Sequence, residues 1–192
     1  TLHGGRDLQG IDYELPVASA QVKTAVLLSG LHAIGETRVR EPIPSRDHTE
    51  IAMLRFGAPV RLEDRSTVVR GGSPLESVRL RIPGDISSAA FFIVGAAMMP
   101  GSDLRVVDVG LNPNRIGFIR VLQAMGADIV GEEEPGYDTP GNERFGTVRV
   151  RGSELHGTEV PTELVPSLID EIPVLAVAAA RAQGVTLFRG AS

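Results

Sequence analysis

The sequence contains no cysteine and no tryptophan, and aromatic residues make up only 4% of its 192 residues. The lack of cysteine excludes disulfides, thiolate metal sites and cysteine nucleophiles. With so few aromatic rings, the chain offers no series of stacking platforms for nucleic-acid bases. The four histidines are scattered along the chain without the short spacing of metal ligands. We therefore predict no metal site, and a core built from Val, Leu, Ile and Ala.

Excess positive charge and long apolar runs are also missing. The formal net charge of −5 argues against a general nucleic-acid binder. The longest apolar runs reach about a dozen residues and are interrupted by Gly or Ser, which is too short to span a bilayer. No secretory signal is visible. The expected protein has no nucleic-acid or membrane partner and works in the cytoplasm.

What the chain does have is an internal repeat. Two stretches look like copies of one another, the first opening at Ser19 and the second at Asp85, and a third copy begins at Asp170. Each copy opens a hydrophobic helix with short polar or acidic side chains. A repeat of this kind predicts one supersecondary unit that buries its apolar face against its siblings. The last copy is incomplete at residue 192, so we read the chain as a piece of a larger protein.

Periodicity and turn residues predict the same order of elements in each copy: strand, helix, strand, helix, strand, strand. Arg46 and Arg115 each stand the same number of residues before a glycine that ends the second helix. The predicted helices span residues 22–31, 47–56, 86–99, 115–125 and 169–183. The predicted strands span residues 11–15, 37–40, 60–62, 67–69, 78–82, 104–109, 128–130, 147–151 and 185–188.

This pattern places the chain in the α/β or α+β class. The first helices of the first two copies are apolar nearly all round, which predicts burial on every side. The helices would then form an inner layer covered by sheets, the reverse of a TIM barrel.

The helix starts are the candidate binding elements. A helix N-terminus presents unpaired N–H groups and a partial positive charge, and it is suited to holding phosphate. Ser19 fits either an ordinary N-cap or a phosphate ligand, and the Ser45–Arg46 pair fits either a helix start or an anion contact. Asp170 is explained equally by the helix dipole or by a role as general base. The residues alone leave these alternatives open.

Five segments carry a more specific signal. They read RDLQGI (6–11), LPVASAQVK (15–23), PSRDHTE (44–50), PGDISSA (83–89) and IDEIP (169–173). Together and in this order they resemble the EPSP synthase (3-phosphoshikimate 1-carboxyvinyltransferase) family of enolpyruvyl transferases. Matching motifs cover essentially the whole chain, whereas members of the family are much longer. The chain resembles a central fragment of such a protein.

The resemblance implies two similar domains, each an inside-out α/β barrel of three βαβαββ units with buried helices. Residues 1–84 would belong to the first domain and residues 85–192 to the second. The implied reaction transfers the enolpyruvyl group of phosphoenolpyruvate to the 5-hydroxyl of shikimate 3-phosphate and releases phosphate. The resemblance also implies that no cofactor is used and that the parent protein is a monomer.

Position by position, the resemblance assigns substrate binding to Ser19, Ala20, Gln21, Ser45 and Arg46. Asp170 would bind the shikimate hydroxyls and act as base toward the 5-hydroxyl. Lys23, the only lysine, would have a structural or rim role, and the helix start at Asp85 would be structural.

Two other functions remain to be separated from this one. A related enolpyruvyl transferase acts on UDP-N-acetylglucosamine and shares the fold, but the pattern at Ser19–Gln21 and Ser45–Arg46 favours shikimate 3-phosphate. A non-catalytic phosphate-binding module would gain nothing from a carboxylate at Asp170. Further catalytic segments of the family have no match in these 192 residues, so we expect the chain alone to be inactive.

Overall fold

The structure, a computed structural model, describes residues 7–135 and 141–190. Contacts divide these residues into two units. The first holds residues 7–80 and 141–142, and the second holds residues 81–135 and 143–190. The predicted domain boundary at residues 84 and 85 concerns the longer protein and stays a prediction.

The first unit is one complete copy of the predicted repeat. Its elements are β1 (Asp12–Glu14), α1 (Ala20–Gly30), β2 (Glu36–Arg40), α2 (His48–Arg55), β3 (Val60–Glu63) and β4 (Ser66–Arg70). They form a sheet in the order β1-β2-β4-β3, in which β1 and β2 are parallel and the other pairs antiparallel. Gly35 at φ +91° lets the chain turn from α1 into β2. The predicted βαβαββ order is confirmed here.

The second unit repeats this topology. Its elements are α3 (Ile86–Met98), β5 (Asp103–Gly110), α4 (Gly117–Ala124), β6 (Asp128–Glu133) and β7 (Phe145–Arg151). The sheet order is β5-β7-β6, and a parallel bridge from Gly84 to Val109 stands where β1 stands in the first copy. The third copy contributes β8 (Glu159–Val160), α5 (Ile172–Arg181) and β9 (Leu187–Phe188), with β8 and β9 parallel.

One predicted strand is wrong, and one predicted helix begins later than expected. Residues 78–82 form no strand, because the segment pairs with no strand among the residues that the structure describes, and residues 79–82, which include Leu80 and Ile82, lie exposed. The helix predicted from residue 169 begins as α5 only at Ile172, after 3₁₀ turns over Thr162–Ser167 and Ile169–Glu171. Pro173 is compatible with the first turn of α5, where its missing N–H has no intrahelical partner to lose.

The expectation that the first helices are buried on every side is also wrong for this chain. In α1, Leu27 is fully buried but its neighbour Leu28 is 49% exposed. In α3, Ile93 is fully buried but Phe92 is 71% exposed. The physical reason is that each sheet covers one face of its helix. Each unit has its own hydrophobic core on the covered side.

Candidate functional site

The start of α1 presents the first group of predicted site residues. Ser19 is the N-cap, with extended backbone, and its hydroxyl oxygen accepts a long hydrogen bond of 3.4 Å from the Val22 N–H. Ser19 and Ala20 are half-buried and Gln21 is exposed. The backbone N–H groups of this first turn have no carbonyl partner within the helix. The arrangement leaves a polar, accessible helix start that is chemically suited to an anion.

The second group, Ser45 and Arg46, lies just before α2. Ser45 is buried, with 6% exposure, and Arg46 is half-buried. The Ser45 N–H donates to Glu41 Oε1 over 3.2 Å, and the Ser45 hydroxyl donates to the same carboxylate oxygen. Glu41 therefore fixes the position of this segment through two hydrogen bonds from Ser45. The sequence alone did not indicate a role for Glu41.

A buried ion cluster connects these two groups. Lys23, in the first turns of α1, is only 1% exposed, and its Nζ lies 2.9 Å from Glu41 Oε2 and 2.7 Å from Glu50 Oε1. Glu50 belongs to α2, and its Oε1 also accepts a 3.4 Å hydrogen bond from Thr67. A rim role for Lys23 is excluded by its burial, and the predicted structural role fits these contacts.

A second link between α1 and α2 lies beside the ion cluster. The hydroxyl oxygens of Thr24 and Thr49 are 2.5 Å apart and form a hydrogen bond. Together with Lys23, this contact fixes the first turns of α1 against the first turn of α2. The structure thus brings the segments of Ser19–Gln21 and Ser45–Arg46 into one connected network, although their spacing in the chain gave no sign of it.

The cluster brings one ammonium and two carboxylates together where Lys23 and Glu50 are buried and Glu41 is half-buried. Burial raises the pKa of Glu50, and the negative charge of Glu41 acts in the same direction, while the Lys23 ammonium opposes both. The remaining oxygen of Glu50, Oε2, has no hydrogen-bond partner. A lone lysine inside an apolar run was the signal in the sequence that could have revealed this cluster, because a buried lysine requires acidic partners.

Asp170 belongs to the second unit, in the 3₁₀ turn before α5, and its side chain is exposed. The next residue, Glu171, is buried. Burial raises the pKa of Glu171, a hydrogen bond from Ser87 lowers it, and the nearby charge of Asp170 raises it. An exposed carboxylate beside a buried one is thus present where the sequence predicted a base.

The start of α3 is built differently from the start of α1. Asp85 is the N-cap, and its carboxylate accepts hydrogen bonds from the N–H groups of Ser87 at 3.3 Å and Ser88 at 3.0 Å. Arg115 Nη2 lies 3.1 Å from Asp85 and donates to the Ser87 hydroxyl. Burial alone would raise the pKa of Asp85, but hydrogen bonds from Ser88 and Ser87 and the Arg115 charge together lower it. These contacts agree with the predicted structural role of this helix start.

Some classes of site are not found in the described part of the chain. Among residues 7–135 and 141–190, no three His, Asp or Glu side chains are grouped so that they could hold a metal ion. Within the same residues, none of the helices combines the length and apolar character needed to cross a bilayer.

Comparison with known proteins identifies the group to which these features belong. The family model of EPSP synthase (3-phosphoshikimate 1-carboxyvinyltransferase) matches residues 2–192. The chain is 52% identical over 191 residues to the 3-phosphoshikimate 1-carboxyvinyltransferase of Alkalilimnicola ehrlichii. The match covers all of this chain and 42% of that protein. It is 51% identical over 192 residues to the protein of that name from Desulfitobacterium hafniense, of which it covers 43%.

Solved structures give the same result. EPSP synthase from Acinetobacter baumannii matches with a TM-score of 0.82 and 46% identity, over 96% of this chain and 42% of that one. The enolpyruvyl transferase NikO from Streptomyces tendae matches with a TM-score of 0.62 and 21% identity, over 85% of this chain and 37% of that one, and shows likeness of fold alone. The chain spans about two fifths of the length of the curated relatives it matches. Since the family model covers nearly every residue, the chain belongs to the EPSP synthase family.

Proposed function

We propose that this chain supplies part of an enzyme that transfers the enolpyruvyl group of phosphoenolpyruvate to the 5-hydroxyl of shikimate 3-phosphate and releases phosphate. Membership of the EPSP synthase family supports the reaction class. One observation supports the assignment of named residues: the start of α1 is accessible and capped by the neutral Ser19. Contacts through Lys23 and Glu41 connect it to the segment that contains Arg46.

In this proposal the first unit binds the phosphate of shikimate 3-phosphate. The Ser19 hydroxyl and the Ala20 N–H at the start of α1 contact it, and Gln21 adds a side-chain amide that can donate. The Arg46 guanidinium, from the segment Ser45–Arg46, supplies fixed positive charge, which suits a phosphate geometrically and electrostatically. A helix start and an arginine acting together give a strong anion site without any metal.

Asp170 acts as the general base in this proposal. Its carboxylate accepts the proton of the shikimate 5-hydroxyl as that oxygen bonds to the central carbon of phosphoenolpyruvate. In the same addition the methylene carbon of phosphoenolpyruvate takes up a proton and becomes a methyl group. The adduct then loses phosphate together with one proton of that methyl group, which restores the carbon–carbon double bond as the enol ether. The exposure of Asp170 in the 3₁₀ turn keeps its carboxylate accessible to substrate. Proton transfer by a positioned group contributes roughly 10²–10⁴-fold to rate.

We further propose that the helices become internal in the longer protein, as an inside-out barrel requires. The uncovered apolar faces of α1 and α3, which include Leu28 and Phe92, support this. Large apolar side chains exposed on a helix face are typical of a surface that another element covers. The matching sheet orders of the two units support the pseudo-symmetry of the two domains.

The test of the function is a coupled assay of phosphate release on a full-length protein that contains these residues. We expect turnover with shikimate 3-phosphate and phosphoenolpyruvate, and none when UDP-N-acetylglucosamine replaces shikimate 3-phosphate. Asp170→Asn should lower kcat by about 10²–10⁴-fold while shikimate 3-phosphate still binds, because the amide cannot take the proton. Glu163→Gln, which removes an exposed carboxylate from the preceding 3₁₀ turn, is the matched control.

Turnover with UDP-N-acetylglucosamine instead of shikimate 3-phosphate would reject the proposed substrate. An unchanged kcat in Asp170→Asn would remove Asp170 from the mechanism and leave the substrate assignment standing.

A further inference from the structure

The hydroxyl of Ser45 donates its hydrogen bond to a side chain of the same unit, Glu41. Its proton and the Ser45 N–H are both donated to Glu41 Oε1, and the residue is almost fully buried. A hydroxyl has one proton, and a phosphate oxygen accepts hydrogen bonds but seldom donates them. In this arrangement Ser45 has no proton left for a phosphate.

Glu41 also contacts α1, through Lys23. While its Oε1 accepts from Ser45, its Oε2 lies 2.9 Å from the ammonium of Lys23. Lys23 stands one helical turn after Ser19. Two successive links, from Ser45 to Glu41 and from Glu41 to Lys23, therefore connect the segment before α2 with the first turns of α1. Charge-assisted hydrogen bonds are short and directional, and they fix relative position better than apolar contacts do.

The second repeat shows that the fold does not need these charges. The positions equivalent to Lys23 and Glu50 hold Ala89 and Ile119, both in the hydrophobic core. A buried ion pair is weak evidence for stability, because an apolar replacement is often as stable or more so. The first repeat therefore has ionic contacts where its sibling folds with apolar ones.

We propose that Glu41 and Lys23 are positioning residues for the binding of shikimate 3-phosphate. They hold Ser45, so that Arg46 is set at a fixed distance from the start of α1 and the two segments receive one phosphate together. Ser45 acts through this contact, and the phosphate contact from its segment is made by Arg46. The inference rests on the function proposed above.

Two glutamates provide a matched pair of variants. Glu41 and Glu50 both contact Lys23 at similar distances, but only Glu41 holds Ser45. In the full-length protein, Glu41→Ala should raise the KM for shikimate 3-phosphate about tenfold and leave the KM for phosphoenolpyruvate within about twofold, in line with the loss of one charge-assisted hydrogen bond. Glu50→Ala should leave both KM values within about twofold, although both variants lower the melting temperature.

A double-mutant cycle sharpens the test. Ser45→Ala should raise the KM for shikimate 3-phosphate, and adding it to Glu41→Ala should produce no further increase, because both changes break the same contact. Additive effects would mean that the Ser45 hydroxyl meets the phosphate itself, and would overturn the inference. Equal KM changes in Glu41→Ala and Glu50→Ala would overturn it too.

The two proposals fail in different ways. A wild-type protein that releases no phosphate from the two substrates would overturn the proposed function and this inference with it. An active wild type, together with a Glu41→Ala variant whose KM values are unchanged, would overturn the inference alone.

Discussion

The helix start at Ser19 and the helix start at Asp85 occupy equivalent places in two copies of one topology, but one is capped by a neutral side chain and the other by a carboxylate. Asp85 brings its own carboxylate, which accepts two backbone N–H bonds and pairs with Arg115. Ser19 is neutral and accepts one long bond of 3.4 Å. The second copy is supplied with an internal anion, whereas the first copy keeps a helix start to which an external phosphate can be added.

The same two copies differ one turn further along. One helical turn after Ser19, Lys23 joins Glu41 and Glu50 in the ion cluster. One helical turn after Asp85, the equivalent of Lys23 is Ala89, and the equivalent of Glu50 is Ile119. A repeat can thus keep its backbone while its core changes from ionic to apolar. In the proposed function, the copy with the Lys23–Glu41 contact is the one that binds substrate.

The largest expected effect comes from removing the cation of the ionic core. Lys23→Met keeps most of the length of the side chain but leaves the carboxylates of Glu41 and Glu50 without their shared cation. Breaking a buried ion pair on one side costs about 3–5 kcal/mol. We expect the free energy of unfolding of the first unit to fall by this amount, as measured by urea denaturation at pH 7.

The control converts the first copy toward the second. Adding Glu50→Leu to Lys23→Met removes the more deeply buried of the two carboxylates that lost their cation and supplies apolar surface, so the double variant should recover at least half of the lost stability. It should not recover the binding of shikimate 3-phosphate, since Glu41 still lacks Lys23. No loss of stability in Lys23→Met would show that the cluster is not the buried ionic core described above.

The second effect comes from exchanging the caps. Ser19→Asp gives the first copy the internal anion of the second, and aspartate is as good an N-cap as serine. Folding should be preserved, but the new carboxylate repels the substrate phosphate. Two unit charges 4 Å apart near a protein surface interact by about 4 kcal/mol. We therefore expect the KM for shikimate 3-phosphate to rise at least about a hundredfold in the full-length protein.

Asp85→Ser is the reverse exchange and the control for Ser19→Asp. It should lower stability slightly and leave the KM for shikimate 3-phosphate within about twofold, because this helix start has no substrate to bind in the proposed function. A similar rise of KM in both variants would mean that the two helix starts are not divided into a binding and a structural one.

Most of the fold could be predicted because its signals are local. The alternation around Tyr13, the cap at Ser19 and the glycine at Gly35 set the first strand, helix and turn without reference to distant residues. The strand at residues 78–82 failed because alternation predicts a strand only where another strand can pair with it. Burial of α1 failed for a related reason, since apolarity shows that a face needs cover but not whether this chain provides it.

The site was less predictable, because its decisive contacts are distant in sequence. Helix-start chemistry and resemblance to a family predict Ser19, Ser45 and Asp170 as site residues, and these assignments stay predictions. The bond from Lys23 to Glu41 joins residues 18 positions apart. The lone lysine in an apolar run indicates that acidic partners exist, but neither spacing nor composition indicates which residues they are. The contact of Ser45 with Glu41 changes the role proposed for Ser45, and only the folded structure reveals it.

The smallest expected effect concerns the internal anion of the second copy. Asp85→Asn keeps a capping side chain but removes the charge that faces the helix N-terminus and Arg115. Because Asp85 is 47% exposed, we expect a loss of only about 1 kcal/mol at pH 7, the usual size for a cap or a helix-end charge. Urea denaturation of wild type and variant measures it.

The pH dependence of that loss distinguishes a charge effect from a packing effect. The folded pKa of Asp85 lies below its ordinary value, so the charged carboxylate stabilises the folded state above the unfolded pKa of about 3.9, and this contribution is lost as the pH falls through the folded pKa. The difference between wild type and Asp85→Asn should therefore shrink from pH 5 to pH 3. Asp108→Asn is the matched control, since Asp108 is 45% exposed and also pairs with an arginine, Arg81, at 3.0 Å. Asp108 does not cap a helix, so the loss of unfolding free energy in Asp108→Asn should be less than half of that in Asp85→Asn. A difference between wild type and Asp85→Asn that does not change with pH would mean that the charge of Asp85 does not stabilise the start of α3.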